Sequence, residues 1–101
     1  MKKFLVSIDQ GTTSSRVILF DVRGNIKFIS QFEFKQYFPQ NGWVEHNPNE
    51  IWSTTLKALK KVIKKASVLK GKIISLGITN QRETTILWNK KTGKVIYNAI
   101  V

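Results

Sequence analysis

The sequence predicts an α/β fold on a mixed sheet, in which an antiparallel meander is followed by a crossover helix and a strand parallel to the first. Three observations carry this. Phe4–Ile8 and Ser15–Phe20 are largely apolar runs separated by a short Gly-containing loop, the mark of a β-hairpin. Asn47-Pro48 opens a long segment with apolar residues at helical spacing. Ile73–Ile78 is a continuous apolar run of strand length beyond that segment, as a strand buried on both faces of a parallel pairing reads.

Each element follows in order. The first strand is Lys2–Asp9, with Leu5, Ser7 and Asp9 on one face and Phe4, Val6 and Ile8 on the other. The loop Gln10–Ser14 leads into the second strand, which ends at Phe20. Asp21-Val22-Arg23-Gly24-Asn25 has the residues that tight turns tolerate. A third strand runs from Ile26 to Tyr37, where Ile26, Phe28, Phe32 and Phe34 alternate with polar residues. Pro39–His46 is a loop, with Trp43 expected to pack on the core. The helix runs from Pro48 to about Ser67, capped by Asn47, with Glu50 placed for a capping box. Its expected core stripe is Trp52, Leu56, Leu59, Val62, Ile63 and Ala66, with the lysines on the solvent side. After the strand at Ile73–Ile78 comes a polar cluster, Thr79–Thr84. A last hairpin pairs Thr85–Asn89 with Lys94–Val101 around the turn Lys90–Gly93, and Trp88 and Tyr97 are expected to pack.

Composition narrows the function classes. A chain of 101 residues supports one small domain. No apolar stretch is long enough to span a membrane. The N-terminus reads as a strand interrupted by Asp9 and not as a secretory signal. With no cysteine there is no disulfide framework or thiolate metal site, and the expected compartment is the cytoplasm. The formal charge of +11 is large, but its cations are mostly lysine, concentrated between Lys57 and Lys72. Arginine is the usual reader of bases and bidentate phosphate, so this face is expected to be solvated surface and nucleic acid is not the expected partner.

Two places carry candidate chemistry. Gly11 permits close backbone approach, and Thr12, Thr13, Ser14 and Ser15 set four hydroxyls in a row. Such a loop can form an anion nest, with Asp9 at its mouth for Mg²⁺ and Arg16 just beyond. Residue chemistry leaves this equally a ligand-free Thr/Ser turn. It is no Walker loop, because GK[ST] is absent and a strand follows. The second place is Arg82-Glu83, past the end of a buried strand, where α/β folds place ligand contacts. A donor beside an acceptor can grip adjacent hydroxyls of a polyol, or simply brace the loop as an ion pair. His46, the only histidine, has no acid–nucleophile constellation near it in sequence and reads as structural.

Four stretches carry a family resemblance. DQGTTSSR at 9–16, after an apolar strand, resembles the first phosphate loop of the FGGY carbohydrate kinases, within the actin-like, ribonuclease-H-like ATPase superfamily. GWVEHNP at 42–48, GITNQRETTILWN at 77–89 and IYNAIV at 96–101 resemble the glycerol kinases of that family. The likeness runs the length of the chain. One departure is Asn47, where the family pattern has Asp; both cap helices. The resemblance implies that residues 1–101 are the incomplete N-terminal part of the first domain, with a ribonuclease-H-like fold. It implies ATP-dependent phosphorylation of glycerol to sn-glycerol 3-phosphate with Mg²⁺. Thr12, Thr13, Ser14 and Arg16 would meet the ATP or ADP phosphates, Thr12 also the product phosphate, and Asp9 the Mg²⁺ through water. Arg82 and Glu83 would hold glycerol. The family's general-base aspartate lies further along, so the chain alone is expected to be inactive, a truncated piece of a longer kinase whose full-length members are expected to be homo-oligomers. Another FGGY sugar kinase and a non-catalytic nucleotide-binding remnant stand as alternatives.

Overall fold

The computed structural model describes all 101 residues. The elements are β1 (Lys2–Gln10), β2 (Ser14–Asp21), β3 (Ile26–Glu33), β4 (Glu45–His46), α1 (Pro48–Val68), β5 (Gly71–Thr79) and β6 (Ala99–Ile100). The main sheet has the order β3-β2-β1-β5. β1 pairs antiparallel with β2, and β2 with β3; β5 returns parallel to β1. The expected meander, crossover helix and parallel return are all present. β4 and β6 form a separate antiparallel pair, Glu45 opposite Ile100 and His46 opposite Ala99.

Two strand expectations are corrected. β3 stops at Glu33, not Tyr37, because Glu33 pairs with Ser14, the first residue of β2, and a longer strand would have no neighbour. Tyr37 makes only an isolated bridge to Glu45. The segment 85–98 is a loose hairpin held by a Trp88–Val95 bridge and a turn at Asn89–Lys94. Its apolar side chains Leu87, Trp88, Ile96 and Tyr97 are exposed, so no packed face extends the ladder.

The core joins one face of the sheet to α1. Phe4, Val6, Ile8, Val17 and Leu19 pack against Ala58, Val62 and Ala66. The helix is turned relative to the expected stripe. Its buried line is Pro48, Ile51, Thr55, Ala58, Val62 and Ala66, while Trp52 is 62% exposed and Ile63 50%. The small residues Thr55, Ala58 and Ala66 let the helix close on the sheet, and bulkier Trp52 and Ile63 are left outside. Trp43, also expected in the core, is 51% exposed. The helix lysines are not purely solvated either. Lys57 and Lys61 Nζ lie 4.4 and 4.9 Å from the Phe32 ring centroid, and Lys65 lies 5.7 Å from that of Phe28.

β5 pairs as expected but is not buried on both faces. Leu76 and Ile78 are opposite Val6 and Ile8, on the side that faces α1, yet both are exposed. The helix lies mainly over β2 and β3 and leaves this edge bare. At its other end β5 is tightly fitted: a Cβ added at Gly71 would sit 2.0 Å from the Phe4 ring. Asn47 caps α1, its side chain accepting from the Asn49 amide at 2.9 Å. Glu50 forms no capping box; it accepts the Tyr37 hydroxyl at 2.7 Å instead. No helix is long and apolar enough to cross a membrane.

Candidate active site

The site is built by register. Asp9 of β1 lies beside Thr79 of β5, so the two parallel strands end together. The loop 11–13 leaves β1 and the turn 80–84 leaves β5 from the same edge of the sheet. A small groove of about 150 Å³, lined by Gln10, Asn80, Gln81 and Thr84 among others, separates them. In an α/β sheet the carboxyl ends of parallel strands are where ligands are met.

The four hydroxyls of the first loop have separate fates. Thr12 and Thr13 are exposed at its tip. Ser14 is buried, and its Oγ accepts from Gln31 Nε2 at 2.7 Å, leaving its own hydrogen to donate. Ser15 is sealed against the helix, 2.9 Å from Thr54 Oγ1 and 3.1 Å from Thr55 Oγ1. The loop is pinned from within and from behind. Gly11 N–H donates to the Ser14 carbonyl at 3.0 Å, Phe34 N–H to the Thr13 carbonyl at 3.2 Å, and Gln36 Nε2 to the Thr12 carbonyl at 3.2 Å. A Cβ at Gly11 would come within 3.2 Å of the Ser14 carbonyl oxygen, so glycine here serves close approach.

Asp9 and Arg16 are directly opposite in the hairpin register and form an ion pair, Arg16 Nη2 donating to Asp9 Oδ2 at 2.9 Å. Asp9 Oδ1 makes no bond within the chain. No group of three or more His, Cys, Asp or Glu side chains could hold a metal by itself. A single half-exposed carboxylate is still the donor set that suits Mg²⁺, which keeps its waters and adds phosphate oxygens. The exposed Thr12 and Thr13, with Arg16 beside them, suit the phosphates in turn.

Arg82 and Glu83 are both exposed in the turn after β5, and neither takes part in an ion pair. The bracing pair is therefore absent, and both heads are free. Glu83 has φ 58°, a left-handed conformation that costs a non-glycine residue free energy. It lines a groove of about 360 Å³ with Thr85, Leu87, Tyr97, Asn98 and Ile100. Tyr97, expected to pack, is 53% exposed at this groove.

Behind both loops lies a buried polar layer that sequence reasoning missed. Glu45 is 3% exposed and accepts from Tyr97 Oη at 2.7 Å and Asn98 Nδ2 at 3.2 Å. That carboxylate raises the Tyr97 hydroxyl above its ordinary pKa, as Glu50 does for Tyr37. His46 is fully buried, edge-on to Phe34, with Nε2 against Gln36 Oε1. Burial lowers its pKa below the ordinary value, against a smaller opposing hydrogen bond from Gln81. The structural expectation for His46 fits this setting. The only signal in the sequence was Glu45-His46 standing together without a cation nearby.

A family model for the FGGY family of carbohydrate kinases, N-terminal domain, matches residues 4–101. The chain belongs to that family. This FGGY chain is 56% identical, over all its 101 residues, to a glycerol kinase of Staphylococcus haemolyticus. It spans 20% of that relative's length. The structure matches a Plasmodium falciparum glycerol kinase with ADP at a TM-score of 0.90 and 39% identity, over 99% of this chain and 20% of that one. A gluconate kinase of Lactobacillus acidophilus matches at a TM-score of 0.89 and 20% identity, over 100% of this chain and 20% of that one, a likeness of fold. The FGGY fold is thus the actin-like, ribonuclease-H-like one, present here as its N-terminal portion.

Proposed function

We propose that this chain supplies the phosphate loop and the polyol-binding turn of an ATP:glycerol phosphotransferase that makes sn-glycerol 3-phosphate in the cytoplasm. The observation that carries the reading is the Asp9–Thr79 register, which sets the two loops side by side at one sheet edge. Thr12, Thr13 and Ser14 donate hydroxyl hydrogens to the phosphates of ATP or ADP, and Thr12 also reaches the product phosphate. Arg16 adds positive charge while holding Asp9 in place. Asp9 receives Mg²⁺ through water; bound Mg²⁺ neutralises charge on the transferring phosphoryl group. Arg82 donates to, and Glu83 accepts from, neighbouring hydroxyls of glycerol. Residues 1–101 act as part of the first domain of a longer, homo-oligomeric enzyme.

The glycerol kinase likeness at 56% identity supports glycerol over other polyols. Neither aspartate is placed as general base, since Asp9 is paired with Arg16 and Asp21 sits in the distant β2–β3 turn, and Glu83 is assigned to holding glycerol. By itself it therefore does not turn over. The test replaces the matching fifth of the staphylococcal relative with residues 1–101 and assays transfer from ATP to glycerol, xylulose or gluconate. Transfer to glycerol is expected, and preference for either of the others would move the chain to a sister kinase. Glycerol 3-phosphate formed by the isolated 101-residue chain would overturn the claim that it is inactive alone.

A further inference from the structure

We propose that His46 is a positioning residue that joins the phosphate loop to the polyol-binding turn through one line of polar side chains, which runs inward from the exposed Thr12 carbonyl to the buried imidazole. The line starts at the Thr12 carbonyl, which accepts from Gln36 Nε2 at 3.2 Å. The same nitrogen also bonds the Phe34 carbonyl, at 3.3 Å, so the Gln36 oxygen is an acceptor by elimination. That oxygen meets His46 Nε2, which therefore carries the ring proton and donates. His46 Nδ1 is then a bare lone pair in a site sealed from water, and it has no partner.

One other buried polar atom in this region lacks a partner, Gln81 Nε2. Gln81 is 8% exposed, whereas Asn80, Arg82 and Glu83 around it are all exposed. The turn that carries Arg82 and Glu83 thus hangs on the Gln81 side chain. Gln81 is the polar side chain that bears on the His46 imidazole from this turn, and its oxygen accepts from Thr84 Oγ1 at 3.2 Å. Rotating the amide by half a turn directs its N–H groups toward His46 Nδ1 and Thr84 Oγ1 and moves the carbonyl oxygen to the position now held by the partnerless Nε2. The groups facing the ring are Phe34, Gln36 and Gln81, none of them charged. Hydroxyl and phosphate must meet in line, and this connection fixes the distance between the loops that hold them.

The inference rests on the roles proposed for the two loops, and the test separates the two claims. In the chimeric enzyme described above, His46→Leu fills the space without hydrogen bonds, while His46→Gln offers a donor to Gln36 and an acceptor to Gln81. His46→Leu is expected to lower kcat by about ten- to a hundredfold with both KM values within about threefold, and His46→Gln to recover most of it. Gln81→Leu breaks the same line from the exposed side and decides the matter if His46→Leu does not fold. Unchanged kcat in a folded Leu variant, or no recovery with Gln, overturns the proposal. An unmutated chimera without activity overturns the kinase reading instead. In that case ¹⁵N relaxation on the 101-residue chain decides for His46. Loss of backbone order at Arg82, Glu83 and Thr12 together in His46→Leu, restored in His46→Gln, is the expected result, and undisturbed order overturns it.

Discussion

Asp9 has one partner in the fold, Arg16, and a second proposed for it, Mg²⁺. One oxygen is committed to Arg16 and the other is open, so metal and arginine need not compete. The pair is partly exposed, and such pairs contribute about 0–1 kcal/mol. Asp9→Asn should therefore leave the melting temperature almost unchanged while removing the Mg²⁺-dependent part of ATP affinity, read by calorimetry with and without Mg²⁺. His46 gives a pH signal of opposite kind. Burial lowers its pKa in the fold, whereas the unfolded chain takes up a proton near the ordinary value of 6.5. Stability is then full above about 6.5 and falls as pH drops below it, because the unfolded state binds the extra proton. Melting curves should show this loss, and His46→Gln should flatten it. Asp21 does not confuse the window: Asn25 holds its carboxyl below 3.8, so its contribution is lost only in stronger acid.

At the scale of elements, the phase of α1 is the finding most open to test. Ile51 is 7% exposed and Trp52 62%. Ile51→Ala should cost about 2–5 kcal/mol in denaturant unfolding, and Trp52→Ala about 0.5 kcal/mol or less. The sequence-based stripe demands the reverse. Two apolar lines run along this helix, and periodicity weighs them by side-chain size. Packing chose the line with the smaller residues because the sheet needs close approach. β1, β2, β5 and the start of β3 were legible because each is patterned within its own segment, and the crossover helix implied the parallel return; the strands expected at 85–89 and 94–101 did not form as such, because their apolar side chains find no packed face. The short partners β4 and β6 were not, because a two-residue strand is made by its tertiary neighbour. The turn at Gln10–Ser14 was legible from its Gly and hydroxyl residues, whereas Gln36 and Gln81 look like ordinary surface glutamines until the fold buries one of them. β5 supplies a second test. Gly71→Ala drives a methyl into the Phe4 ring and should cost about 1–3 kcal/mol, while Gly77→Ala meets nothing and should be neutral or better.

The whole molecule is more open than its length suggests. Its accessible surface is 7380 Å², against about 5,800 Å² for a compact monomer of 11.6 kDa. The radius of gyration is 15.7 Å, against about 13 Å. Much of the excess lies on β5 and the 85–98 hairpin, where Ile74, Leu76, Ile78, Leu87 and Trp88 are exposed. An apolar strand at a bare sheet edge invites pairing between chains. Ile78→Lys should reduce self-association in sedimentation or light scattering without lowering the melting temperature, as Ile78 is 68% exposed.

The parallel register of β1 and β5 also sets an order of events. Within the β1–β2 hairpin the first loop is closed by the bond from Gly11 N–H to the Ser14 carbonyl, and Gln31, Phe34, Gln36 and the α1 threonines pin it as their segments arrive. The turn at 80–84 reaches its place only when Thr79 docks beside Asp9, about seventy residues earlier in the chain, with α1 already laid down. During synthesis the β1–β2 hairpin with its loop is therefore in place before the turn at 80–84, which arrives with β5.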